Sequence, residues 1–217
     1  MSIIVRSLQQ ADLDATDAVV MAAYNVPTSR KSSLQLYMTL QPDGAYVAKD
    51  GDTIVGFGAA LNYGPFAYIG LMSAHPTMQK RGIGRAILER LLAWLEEQHC
   101  PTALLDATPI GAPLYEKFGF VTDDITMVMK HEPQHMPIEC WVYNYTSPLQ
   151  EQDVDSVIAF DAPHFGARRE AVLKHYFQTG RVFVTKNERE DITGYIVAQS
   201  NTIGPWVAQT KEDAERL

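Results

Sequence analysis

Apolar side chains recur along this chain with two periods, about two residues and about 3.6, and the places where the period changes mark the elements. Ile3 to Arg6 is a short apolar run of the kind that forms a strand. Asp12 to Tyr24 and Leu34 to Leu40 place apolar residues at helical spacing. Ala45 to Lys49 and Thr53 to Ala60 then read as two strands. Asp-Gly within Lys49-Asp50-Gly51-Asp52 predicts a hairpin between them, because both residue types tolerate positive φ. Ala67 to Ala74 is a third long strand. Ile83, Ile87, Leu88, Leu91, Leu92 and Leu95 fall on one face of a helix that runs to about Gln98. Thr102 to Asp106 predicts a strand, Ala112 to Lys117 a short helix, and Ile125 to Lys130 a last strand. The pattern is that of a mixed α/β domain.

The rest of the chain repeats the first part in order. Leu8-Gln9-Gln10-Ala11-Asp12-Leu13-Asp14 is echoed by Leu149-Gln150-Glu151-Gln152-Asp153-Val154-Asp155, each before a helical pattern. Gly44 to Val47 matches Gly180 to Phe183, Val55-Gly56-Phe57 matches Thr193-Gly194-Tyr195, and Tyr68-Ile69-Gly70 matches Thr202-Ile203-Gly204. A repeat of this length implies two related domains rather than a solenoid. The boundary is expected in His131 to Pro137, giving domains of residues 1–132 and 133–217. His131 and His135 have a metal-friendly spacing, but Pro133 breaks the helix it requires, so no metal is expected.

The junction between the Ala67 to Ala74 strand and the next helix carries the chemistry. Gln79-Lys80-Arg81-Gly82-Ile83-Gly84-Arg85 places two glycines where backbone N–H groups converge without Cβ interference, at a helix start that adds partial positive charge. Lys80, Arg81 and Arg85 add full charges; Arg90 reads as part of a solvated face. There is no G-x-x-x-x-G-K-[ST], and no G-x-G-x-x-G at a strand-to-helix turn, so neither a P-loop nor a dinucleotide site is indicated. What remains, Q-x-x-G-x-G after Ser73-Ala74-His75-Pro76, resembles the pyrophosphate-binding signature of the GNAT superfamily of acyl-CoA N-acyltransferases. Tyr115-Glu116-Lys117-Phe118-Gly119-Phe120 is similar to the superfamily's second signature. The resemblance covers about residues 3 to 130.

The resemblance implies a GNAT fold over the first domain and a smaller, partial GNAT-like α/β domain after it. It also implies acetyl-CoA as co-substrate. The strand segment Met72, Ser73 and Ala74 would pair with the pantetheine arm and offer an N–H to the acetyl oxygen, while Gln79, Lys80, Arg81, Gly82, Ile83, Gly84 and Arg85 would hold the diphosphate. Many relatives have Asn a few residues beyond the strand that ends near Asp106; here the sequence reads Thr108-Pro109, and Thr108 is the substitute contact. Tyr115 occupies the general-acid position, and a phenol is protonated at neutral pH while a thiol near 8.5 is basic enough, once ionised, to accept its proton. A tyrosine packed beside Phe118 and Phe120 in the core is the competing expectation. An alkyl amine costs about 4.6 kcal/mol to deprotonate at pH 7, so a base or a desolvating pocket is needed. Asp106 is the nearest candidate base, its alternative role being to cap the turn at Thr108-Pro109-Ile110. Tyr24 and Asn25 are placed by analogy near the entrance for the acceptor. His75 is left outside the catalytic set.

Composition narrows the partners. A formal charge of −8 argues against general nucleic-acid binding and mildly favours cationic acceptors. No apolar run is long enough to span a bilayer and Met1 to Arg6 lacks a signal-peptide pattern, so a cytoplasmic enzyme without membrane association is expected. Cys100 and Cys140 form neither a disulfide framework nor a thiolate metal site. The expected acceptor is a small primary amine, with protein acetylation and a non-catalytic CoA sensor as alternatives; a homo-oligomer is compatible with all three. In the second copy the glycine turn is replaced by Thr210-Lys211-Glu212-Asp213-Ala214-Glu215, whose carboxylates would repel diphosphate, so only the first domain is expected to bind CoA. The chain ends at Leu217 before any counterpart of Thr102 to Lys130, and the sheet edge this leaves is expected to need cover.

Overall fold

The structure is a computed structural model that describes residues 3–129, 146–200 and 202–217. The chain forms two compact units, residues 1–127 and 128–217. The expected linker from His131 to Pro137, with His131, His135 and Cys140, lies outside the described residues.

The first unit is built on a five-stranded sheet in the order β1 (Ile3–Ser7), β2 (Ala45–Asp50), β3 (Thr53–Asn62), β4 (Ala67–Ala74), β5 (Ala103–Leu105). All pairs are antiparallel except β4 with β5. Both faces of this sheet are covered, which is why β3 is buried from Ile54 to Leu61 rather than at alternate positions. On one face α1 (Leu13–Tyr24) and α2 (Lys31–Leu40) bring Leu13, Val19, Val20 and Leu34 against Val47, Phe57 and Ala59. On the other, α3 (Ile83–Glu97) and α4 (Ala112–Glu116) pack Ile83, Ile87, Leu88, Leu91, Leu95 and Tyr115 onto Ala48, Val55 and Ile69. α3 also buries Trp94, which periodicity missed, with its indole N–H donating to Asp43 (3.1 Å). Asp17, buried in α1, accepts from Ser29 Oγ (2.7 Å) and the Arg30 N–H (2.6 Å) and so fixes the connection into α2.

Two expectations are corrected in detail. The β2–β3 hairpin turns at Gly51 and Asp52, since Asp50 is already paired with Thr53; Gly51 alone has positive φ, at 58°. Ile125 to Met129 form no strand, and Lys130 lies outside the described residues. The apolar β-forming residues are there, but Ile125, Met127, Val128 and Met129 are exposed and no strand among the described residues pairs with them.

The second unit repeats the first element by element. β6 (Thr146–Pro148), α5 (Val154–Phe165), α6 (Glu170–Thr179), β7 (Arg181–Lys186), β8 (Ile192–Ala198), β9 (Ile203–Ala208) and α7 (Lys211–Arg216) follow the order of β1 through α3. α5 matches α1 at 12 residues, α6 matches α2 at 10, and β7 matches β2 at 6. The irregularities in strand pairing also fall between corresponding strands, at Ala48/Lys49 and Thr185/Lys186, and again at Phe57/Ala59 and Ile196/Ala198. Its core gathers Val157, Ile158, Leu173, Val184, Tyr195 and Val197. Among the described residues β9 is an edge strand with no counterpart of β5 beside it. No described helix in either unit is long and apolar enough to cross a membrane.

Candidate active site

β4 and β5 part company early. Their parallel pairing covers only Ala67–Ala103, Tyr68–Leu104 and Ile69–Leu105, after which β4 continues to Ala74 while the other chain turns away. From Gly70 onward that edge of β4 therefore has no strand partner among the described residues. In the same stretch two residues of β4, Leu71 and Met72, oppose the single Gly58 of β3, and Leu71 takes a left-handed φ of 53°. A bulge with a non-glycine residue in that region holds about 1–3 kcal/mol of strain and re-aims the backbone groups on either side. The Met72 carbonyl accepts a hydrogen bond from the Tyr24 hydroxyl (3.2 Å). Ser73 is buried with its Oγ donating to the Phe57 carbonyl (3.3 Å), so what it has to offer a ligand is backbone.

The loop beyond Ala74 leads directly into the glycine turn. His75 Nδ1 pairs with Thr77 Oγ1 (2.8 Å) over a short 3-10 turn at Pro76–Met78, and Gln79 Nε2 donates to the Ala74 carbonyl (3.5 Å). Lys80 and Gly82 both have positive φ, 62° and 81°, the second being the residue just before α3. Helix bonding starts with the Ala86 N–H on the Gly82 carbonyl (2.9 Å), so the amides of Ile83, Gly84 and Arg85 precede it. A Cβ added to Gly84 would stand 3.3 Å from Leu114 Cδ2, which shows how closely α4 covers the start of α3. Arg85 is drawn along the helix, paired with Glu89 (3.2 Å) and lying 5.7 Å from the Phe118 ring centre. Arg90 is occupied away from the turn by Glu97 (3.3 Å) and the Tyr46 ring, in keeping with its reading as a surface residue.

Tyr115 comes from α4. Thr108 closes the turn ahead of that helix, its Oγ1 accepting from the Gly111 N–H (3.2 Å) and its carbonyl from the Gly111 and Ala112 amides. The cap that Asp106 was a candidate for is thus made by Thr108. Tyr115 is buried, edge-on to Phe120 with ring centres 5.9 Å apart. Burial, and secondarily the neighbouring Tyr24, push its phenol up to about 12. That coupling brings Tyr24 and Tyr115 within electrostatic reach of each other, a juxtaposition no local sequence signal announces, because the two come from α1 and α4. Asp106, one residue past β5, accepts from the hydroxyls of Tyr68 and Thr126. Burial and this bond to Asp106 hold the Tyr68 phenol well above its ordinary range.

An open strand edge, a glycine turn opening a helix, and a buried phenol thus lie along consecutive elements, and known proteins share the pattern. The model of the acetyltransferase (GNAT) family matches residues 10–120. The chain belongs to the GNAT acetyltransferase family. A second GNAT acetyltransferase domain model matches residues 157–217, so the repeat is a tandem of GNAT units. A Pyrococcus horikoshii protein assigned to the acetyltransferases is 28% identical, with 99% of this chain and 74% of that one covered and a TM-score of 0.81. The fold of the first unit also resembles AAC(6')-Iy, solved with the bisubstrate analogue CoA-S-monomethyl-acetylneamine (14% identity, 61% and 100% covered, TM-score 0.51). The ribosomal-protein-S18-alanine N-acetyltransferase of Escherichia coli is similar at 23% identity, with 57% and 80% covered and a TM-score of 0.50. No curated protein matches the sequence.

Within the GNAT pattern the second unit also departs from the first at the start of its last helix. Where the first has its glycine turn, Thr210 caps α7 by accepting the Asp213 N–H (3.1 Å), and the Asp213 carboxylate takes the hydroxyls of Thr210 (2.8 Å) and Thr193 (2.9 Å). The helix start that would meet a diphosphate is filled by the chain's own carboxylate.

Proposed function

We propose that the protein is an N-acetyltransferase that moves the acetyl group of acetyl-CoA onto a primary amine of a small molecule, with chemistry confined to the first domain. The observation that carries this reading is the early separation of β4 from β5, because among the described residues it leaves Gly70 to Ala74 without a strand partner on that side just ahead of the glycine turn. The pantetheine arm would extend β4 along Met72, Ser73 and Ala74. Its diphosphate would rest on the amides of Ile83 and Gly84, with Gln79, Lys80, Arg81, Gly82 and Arg85 around it and Thr108 contacting the arm. A backbone N–H at the bulge would face the acetyl oxygen, a donor of the kind worth about 2.7–4 kcal/mol to the transition state.

The amine nitrogen's lone pair attacks the thioester carbon, the C–S bond breaks, and the sulfur leaves with the bond's electrons. Tyr115 gives its phenolic proton to that sulfur, and the proton lost by the attacking nitrogen returns through solvent to the phenolate. A phenol near 12 is a weak acid toward an ordinary thiol, but the sulfur forms its charge in the same desolvated surroundings, which raises its own proton affinity. Asp106, just past β5, is the carboxylate that would assist the acceptor.

Thiol release from acetyl-CoA over a panel of amines tests the reading. The wild type should turn over at least one amine, and Tyr115→Phe should lose about 10²- to 10⁴-fold in kcat while still binding CoA. A Phe variant as active as the wild type would reduce Tyr115 to a core residue.

A further inference from the structure

Asp106 stands outside the surface ion pairs of the first unit and is held by hydroxyls instead. In the first unit Asp12 is paired with Arg6, Asp14 with Lys31, Asp52 with Lys49, Glu89 with Arg85 and Glu97 with Arg90. Among the described residues no basic side chain pairs with Asp106, although it is exposed and held in place by two hydroxyls. Tyr68 donates to one carboxylate oxygen and Thr126 to the other. Each oxygen keeps lone pairs for a further donor, and no basic side chain among the described residues takes them. A third hydroxyl lies close by, because a Cβ on Gly70 would collide with the Tyr37 hydroxyl, and the charge of Tyr37 is felt at Tyr68.

The strand register places this group relative to the open edge of β4. Leu105 is opposite Ile69, so Asp106 follows beside Gly70, two residues short of Met72. Two residues of strand are about 6.6 Å and neighbouring strands stand about 4.8 Å apart, so the Cα atoms of Asp106 and Met72 are roughly 8 Å apart before the separation of β4 and β5 adds to it. A general base needs to come within about 3 Å of the proton it removes, directly or through one water. The electrostatics agree with the distance: Asp106 acts on Tyr68, whereas Tyr115 responds to burial and to Tyr24.

We infer that Asp106, set between Tyr68 and Thr126 with Tyr37 beside them, anchors a second ammonium group of the acceptor, so that the preferred substrate is an extended aliphatic diamine or polyamine. This inference rests on the acetyl-transfer reading above and gives Asp106 a binding role instead of a basic one. An ammonium brings three donors and no acceptor, and here it meets a carboxylate and phenolic oxygens. Its partner amine would lie roughly 6–9 Å away, at the bulge of β4 beside Tyr24.

Matched acceptors test it: cadaverine against n-pentylamine, which share a chain and differ by one ammonium. The wild type should favour cadaverine by about tenfold in kcat/KM, through KM. Asp106→Asn should remove that preference, and Asp106→Glu should keep part of it. A wild type without the preference, a preference that survives in Asp106→Asn, or a loss of kcat shared equally by both amines would overturn the anchor. Calorimetry of cadaverine binding to the CoA-loaded protein separates the two readings. Binding lost in Asp106→Asn supports the anchor even if no thiol is released, in which case the transfer reading fails. Equal binding by wild type and variant without turnover overturns the anchor as well.

Discussion

At the residue scale, Tyr115 carries both a chemical and a stability consequence. Its folded-state value of about 12 lies above the ordinary phenol value near 10, so the protonated form is favoured by folding. The contribution is fully present below pH 10 and is lost as pH rises through about 12; Tyr68, also raised, acts with the same sign. The unfolding midpoint should therefore hold level up to about pH 10 and fall beyond it, and Tyr115→Phe should lessen the fall. An alkaline decline equally steep in that variant would deny the shift. The cradle residues and Tyr115 were legible in the sequence as candidates because each belongs to a short string, Q-x-x-G-x-G or Tyr115 to Phe120, whose geometry is local. Tyr24's bond to Met72 was not, since it joins positions 48 apart. Nor was the setting of Asp106, which depends on hydroxyls 38 and 20 residues away.

At the scale of elements, periodicity located the helices and most strands because each buries a face against a sheet. It failed for Ile125 to Met129, where β-forming residues are necessary but a partner strand decides. The hairpin was found but misplaced by one residue, since Asp50-Gly51 and Gly51-Asp52 both satisfy the turn's demand and only the pairing of Asp50 with Thr53 chooses between them. The second unit holds a feature no pattern suggested: Arg169, just before α6, makes two bonds to the fully buried Asp161 of α5 (2.8 and 2.7 Å), and Tyr195 of β8 donates to the same carboxylate (2.6 Å). Arg169 also stands 3.9 Å from the Phe165 ring centre. Removing one side of a buried pair leaves an uncompensated charge. Arg169→Ala should accordingly cost the second unit about 3–5 kcal/mol in denaturant unfolding, and Lys should recover only part because it cannot bond bidentately. A cost below about 1 kcal/mol would mean that water reaches Asp161.

At the scale of the whole molecule, two copies of one plan diverge at a helix start. Strand order, the lengths of the first two helices and even the pairing irregularities are kept, and a departure falls on the loop that opens the third helix of each copy. In the first, Lys80 and Gly82 turn left-handed and present amides; in the second, Asp213 occupies the equivalent helix start. This division was legible in the sequence, because glycine and aspartate make opposite statements about an anion. The most direct test is a crystal structure of the full chain grown with CoA. One CoA should lie in the first unit, its diphosphate on the amides of Ile83 and Gly84 and its sulfur within hydrogen-bond reach of the Tyr115 hydroxyl. A diphosphate bound elsewhere, or a Tyr115 hydroxyl turned away from the sulfur, would contradict the account.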